Sequence, residues 1–200
     1  MKVLFSAAVL VFFSTGGAIA CPDFNASAGE AYRASGRELH ETIAFNVRAG
    51  GNNYIWNCSN VKPGTDTGAG YFPTAPDFSL QLSGMGGYRL DLWVVSDCDS
   101  ALLINTSSAS WYYDDDDNGN LDPKIVLTRP VDGRIDVWIG TFDGTYCDAQ
   151  FQLETFEKKV ISVRTCLHYS PGRGSALAAG TASGVNVDFI PPFSAANGCT

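Results

Sequence analysis

The densest run of chemically capable side chains is Asp114-Asp115-Asp116-Asp117-Asn118-Gly119-Asn120-Leu121-Asp122. It reads DxDxNGxxD, with oxygen donors at alternate residues and a glycine after them. Ca2+ takes about six to eight oxygen ligands from a backbone that turns sharply, which this spacing can supply. Asp114, Asp116, Asn118 and Asp122 would ligate through their side chains and Asn120 through its carbonyl, and Ca2+ is the cofactor so predicted. The match to an EF-hand then fails, because Ile125 stands where a bidentate Glu is needed and the flanks read as strands. A solvated acidic turn is the other reading, since Asp-Asn-Gly sequences form turns without any ion. Under the first reading the ion braces the loop, because it cancels the repulsion of adjacent carboxylates.

Catalytic constellations are scarce. The only histidines are His40 and His168, and no serine sits in a GDSGG or GxSxG sequence. Leu39-His40-Glu41-Thr42 begins like a zincin, but no second His follows four residues after the first. Paired carboxylates for glycoside hydrolysis depend on spatial separation, which sequence does not give. The expectation is a protein without catalytic residues, with an unrecognised secreted, peptidase-associated hydrolase as the remaining enzymatic alternative.

A third feature is a repeated phrase. Arg89-Leu90-Asp91-Leu92-Trp93-Val94 recurs as Arg134-Ile135-Asp136-Val137-Trp138-Ile139. If the aliphatic residues of each strand face a core, Arg, Asp and Trp share the opposite face. One reading makes Arg and Asp solvated neighbours and lets Trp cover an edge or pack under the tail. In the other, Trp93 and Trp138 form an exposed aromatic platform for a polysaccharide or another extracellular polymer.

These side chains need elements to hold them, and the chain after residue 77 supplies period-two runs. Phe78, Leu80 and Leu82 alternate with polar residues, as do Leu90, Leu92 and Val94, and further strands are predicted over residues 102–105, 111–114, 125–129, 134–141 and 149–156. Glycine-rich residues 84–87, Asp132-Gly133 and Asp143-Gly144 punctuate them as turns. Upstream, residues 38–47 offer one strand, while residues 50–53 and 62–70 read as loops. No helical repeat is sustained after the leader, so the predicted fold is all-β: an antiparallel, jelly-roll-like β-sandwich with disulfides and a poorly structured C-terminal tail.

Residues 1–20 carry Lys2, a short apolar run and Ala18-Ile19-Ala20 before Cys21. This is the pattern of a signal peptide, too short to span about 30 Å of hydrocarbon, and the mature chain is expected to have no transmembrane span. Lipidation at Cys21 is a second reading of the same site. The predicted division is a leader at 1–20, a sandwich domain at 21–157 and a Gly/Ala-rich tail at 158–200. Export, to the periplasm or beyond, brings Cys21, Cys58, Cys98, Cys147, Cys166 and Cys199 into an oxidising compartment. Six cysteines permit fifteen pairings, and pairing in chain order is the expectation: Cys21–Cys58, Cys98–Cys147 and Cys166–Cys199. Loss of Lys2 with the leader takes the net charge from −8 to −9. With no Lys/Arg cluster, nucleic acid is excluded as a partner, which leaves an extracellular polymer or another exported protein.

Residues 88–156 also resemble the bacterial pre-peptidase C-terminal (PPC) domain. The features that carry the resemblance are Leu90-Asp91-Leu92-Trp93, the Trp111 strand running into Asp-Asp, Asp122-Pro123-Lys124-Ile125, Asp132-Gly133-Arg134-Ile135 and Phe151-Gln152-Leu153-Glu154. It covers about residues 77–157. It implies a jelly-roll-like β-sandwich appended to secreted peptidases or standing alone, without an active site of its own, some of whose relatives bind calcium or an extracellular polymer. The long acidic run and Cys98 depart from the usual pattern.

Overall fold

The computed structural model describes residues 21–64 and 66–158. The expected leader at 1–20, the expected tail from 159 on, His168 and the expected Cys166–Cys199 pair lie outside the described residues. Within them run eleven strands: β1 (Glu30–Ser35), β2 (Ile43–Ala49), β3 (Asn53–Tyr54), β4 (Tyr71–Phe72), β5 (Phe78–Ser83), β6 (Tyr88–Ser96), β7 (Ser100–Asn105), β8 (Trp111–Asp114), β9 (Lys124–Leu127), β10 (Gly133–Thr141) and β11 (Cys147–Glu157).

They form two packed sheets, as a β-sandwich requires. The smaller runs β2-β11-β6-β9 and is antiparallel throughout. In the larger, β10 is central: β5 lies along its first half and β7 along its second, with β1 outside β5 and β8 outside β7. Thr141 of β10 also pairs with Tyr71, which attaches the short β4–β3 pair. One pairing departs from the antiparallel expectation, because β1 runs parallel to β5 from Glu30↔Phe78 to Ser35↔Ser83. Between β1 and β2 the chain crosses to the other sheet, and a 3-10 turn at Glu38–His40 delays the strand expected from residue 38. Ser35 starts that turn, donating its backbone N–H and its hydroxyl to the Glu38 carboxylate at 2.7 and 2.8 Å.

The alternating residues do what period two predicts. Phe78, Leu80, Leu82, Leu90, Leu92, Val94, Ile135, Val137, Ile139, Phe151 and Leu153 fill the space between the sheets. Over β7, β8 and the second half of β10 the larger sheet is covered on its other face as well. Ile55, Cys58, Val61, Phe72, Ala101, Leu103, Trp111, Tyr113 and Trp138 form a second apolar cluster there. This explains the unbroken run Ala101-Leu102-Leu103-Ile104: Leu102 and Ile104 point into the first cluster, Ala101 and Leu103 into the second.

Residues 50–64 and 66–72 form the cover. The Cys21–Cys58 disulfide ties it to the start of the described chain, and Phe24 packs against Trp111 at 6.2 Å between ring centroids. Gly140 of β10 permits the close approach, since a Cβ there would collide with the Tyr71 carbonyl and the Phe72 ring. The second pairing, Cys98–Cys147, joins the β6–β7 turn to the start of β11. Asp132 does more than tolerate a turn: its carboxylate accepts the backbone N–H groups of Gly84 and Met85 at 2.9 and 2.8 Å, clasping the β5–β6 turn to the entry of β10.

Candidate functional site

The acidic run leaves β8 at Asp114 and returns to β9 at Lys124. Asp114 is buried, and its Oδ2 accepts the backbone N–H groups of Asp117 (3.1 Å) and Lys124 (2.6 Å), closing the loop across its base. Burial, with Asp117 and Asp115 close by, pushes the Asp114 carboxyl up to about 6 against the pull of those two hydrogen bonds. Three residues in succession, Gly119, Asn120 and Leu121, take positive φ (77°, 55° and 60°). This left-handed stretch brings Asp122 back under the loop.

Asp122 is an anchor. Its Oδ1 accepts from the Ser96 backbone N–H (3.0 Å), the Ser96 hydroxyl (2.9 Å) and the Ser100 hydroxyl (3.2 Å). Asn118 donates its amide to the Val94 carbonyl at 3.2 Å. The loop is thereby fastened to β6 and the β6–β7 turn, which Cys98–Cys147 fastens to β11.

The ligand set expected from the spacing is accordingly rearranged. Carboxylate oxygens of Asp114 and Asp116 come together with one of Asp117, all within 4.8 Å of one another. Asp117 falls between the alternate positions of the template, so the spacing passed over it. Asn118 turns toward the sandwich to donate to the Val94 carbonyl, Asp122 turns there to accept from backbone and hydroxyl donors, and Asn120 lies exposed at the tip. Three converging carboxylates, two of them exposed, can accept a hard cation, with water completing its shell. The surroundings add negative charge. Asp99 is raised by burial and then by Asp143 and Asp116, and Asp115 is raised by burial and then by Asp116, Asp66 and Asp99.

The aromatic platform requires a correction. Trp138 is fully buried in the second cluster, its ring 5.2 Å from that of Trp111 and its indole N–H donating to the Thr74 carbonyl at 3.2 Å. Trp93 lies part-exposed on the outer face of the other sheet, with Lys124 Nζ 5.6 Å from the centre of its ring. The two phrases belong to different sheets, so they cannot share a surface.

Nor are Asp91 and Asp136 solvated. Both are buried and paired with the Arg two residues before them, Arg89 at 2.7 Å and Arg134 at 2.9 Å, and Lys124 reaches Asp91 at 3.1 Å. The shared phrase therefore encodes a local ion pair. His40 is exposed at the end of its 3-10 turn.

No model of a protein family matches this chain. No curated protein matches it in sequence either. Among solved structures, it is similar to PliG of Aeromonas hydrophila, a periplasmic lysozyme inhibitor of g-type lysozyme, with 7% identity and a TM-score of 0.35 over 64% of this chain and 98% of that one. A mutant of the Escherichia coli protein PliG-Ec, likewise described as a periplasmic lysozyme inhibitor of g-type lysozyme, gives 8% identity and a TM-score of 0.36 over 64% of this chain and all of that one.

Proposed function

We propose that this chain is an exported, non-catalytic β-sandwich binding or accessory module of the PPC kind, and that Ca2+ braces its acidic loop. The observation that carries the calcium reading is the convergence of Asp114, Asp116 and Asp117 in a loop pinned at both ends to the sandwich. Such a loop keeps its carboxylates together at a cost in repulsion, and a divalent cation turns that cost into binding free energy. Two cystines and a two-sheet sandwich suit a module that presents surfaces, and the partner is an extracellular polymer or another exported protein.

The test is a thermal melt of the oxidised protein in Ca2+ and in excess chelator. At a free Ca2+ concentration about 100 times Kd, mass action adds about 2.7 kcal/mol. That corresponds to a rise in Tm of about 8 °C for a domain of this size. Asp116→Ala and Asp117→Ala should abolish the rise. Identical melts of the unsubstituted protein with and without Ca2+ would refute the metal and leave the run a solvated turn.

A further inference from the structure

Away from the acidic loop, two hollows of about 480 and 570 Å³ adjoin in a groove-like depression, with Pro73 and Asp77 lining both. It runs along the side of the sandwich between β2 and the segment that enters β5. Volumes of this order are those of small-ligand sites. At the junction sits the Asp77 carboxylate, whose Oδ2 accepts the Ile139 backbone N–H at 2.7 Å. No cation pairs with it among the described residues, although burial acts strongly against its charge.

One wall of the groove is a built polar array. The Arg48 guanidinium lies 5.3 Å from the centre of the Tyr146 ring, and the Tyr146 hydroxyl donates to Asn52 Oδ1 at 3.2 Å. The Asn52 amide N–H groups have no protein partner among the described residues. Beside it, Asn53 donates to the Phe72 carbonyl (2.9 Å) and to Thr74 Oγ1 (3.0 Å), which fixes this part of the rim. The second hollow adds Glu30 and Asn46.

The mixture of groups selects the ligand. A phosphate or sulfate would be drawn to Arg48 but would face Asp77 and Glu30. A polycation would find those carboxylates but would meet Arg48. A hydroxyl both donates and accepts, so a chain of hydroxyls can serve guanidinium, amide and carboxylate together while its C–H faces lie on Pro73, Val47 and the Tyr146 ring.

We propose that the groove through Arg48, Asn52, Asp77 and Tyr146 binds a neutral oligosaccharide chain. This rests on the reading of the chain as a binding module and is independent of the calcium loop.

The experiment is calorimetric titration of the oxidised protein with cellohexaose, xylohexaose, maltohexaose and chitohexaose, each in Ca2+ and in chelator. Hexalysine and a heparin hexasaccharide serve as charged comparators. At least one neutral chain should bind equally well under both conditions. Arg48→Ala and Asn52→Ala, exposed positions that should leave the melt unchanged, are each expected to weaken it by about tenfold. Trp93→Ala and Asp116→Ala should change it by less than about twofold, since both lie outside the groove. The proposal is overturned if none of the four chains binds, if only a charged comparator binds, or if binding is lost in Trp93→Ala and kept in Arg48→Ala and Asn52→Ala. Carbohydrate binding that persists in chelator while the calcium melts are identical would refute the metal and leave the groove standing.

Discussion

Replacing Asp77 by Asn should make the protein more stable at pH 8 and leave it nearly unchanged at pH 4. Burial raises the Asp77 carboxyl to about 7, whereas in the unfolded chain it titrates at the usual 3.8. Between about pH 4 and 7 the folded protein therefore holds a proton that the unfolded chain has already released. Stability is highest below the unfolded value and is lost as pH rises toward the folded one, at up to about 1.4 kcal/mol per pH unit. A full shift of about three units would give about 4 kcal/mol. The side chain keeps some contact with water, so about 2 kcal/mol is the better expectation. Asn keeps an acceptor for the Ile139 N–H and carries no charge. Urea unfolding of both proteins at intervals from pH 4 to 8 measures the difference directly, and the contributions of Asp114, Asp115, Asp99 and Asp136, which are also raised, cancel between them. Stability curves that stay parallel across that range, or a variant that is the weaker protein at pH 8, would refute the reasoning.

Two further substitutions separate structural from binding roles. Trp138→Ala empties the centre of the second cluster and should cost about 3–5 kcal/mol in chemical denaturation, while Trp93→Ala should cost about 1 kcal/mol or less; comparable losses would contradict the assignment of the two rings to buried and open faces. Asp122→Ala removes the acceptor of three hydrogen bonds and should destabilise by about 2–3 kcal/mol equally in Ca2+ and in chelator. A loss confined to Ca2+-containing buffer would instead make Asp122 a metal ligand.

Most strands were legible because period two is written into side chains that face one core. Residues 111–114 were predicted as a strand and are β8, and the run at 134–141 differs from β10 by one residue. β1 was not legible: Glu30-Ala31-Tyr32-Arg33-Ala34-Ser35 buries little, and its parallel pairing with β5 comes from a distant part of the chain. The site was less legible than the fold. Spacing singled out Asp114 and Asp116 but not Asp117, whose approach depends on the left-handed turn at 119–121. Matching local phrases placed Trp93 and Trp138 alike, and only the cover at 50–64 and 66–72, pinned through Cys58, distinguishes them. The groove at Asp77 was invisible because its walls meet only after residues 50–53 fold against 73–77.

Burial of β7 and the second half of β10 on both faces divides the molecule's freedom to vary. In β10, Ile135, Val137 and Ile139 are bound by one apolar cluster and Trp138 by the other, while Gly140 must leave room for Tyr71 and Phe72, so few of its positions can accept a new side chain. β11 is different: Gln150, Gln152 and Glu154 alternate with core residues on an outer face without such a cover among the described residues. Half of its positions can change without touching the core. A lineage of such proteins could acquire new surface chemistry on the smaller sheet while the doubly covered centre of the larger sheet stayed nearly fixed, with innovation and constraint assigned to separate parts of one small fold.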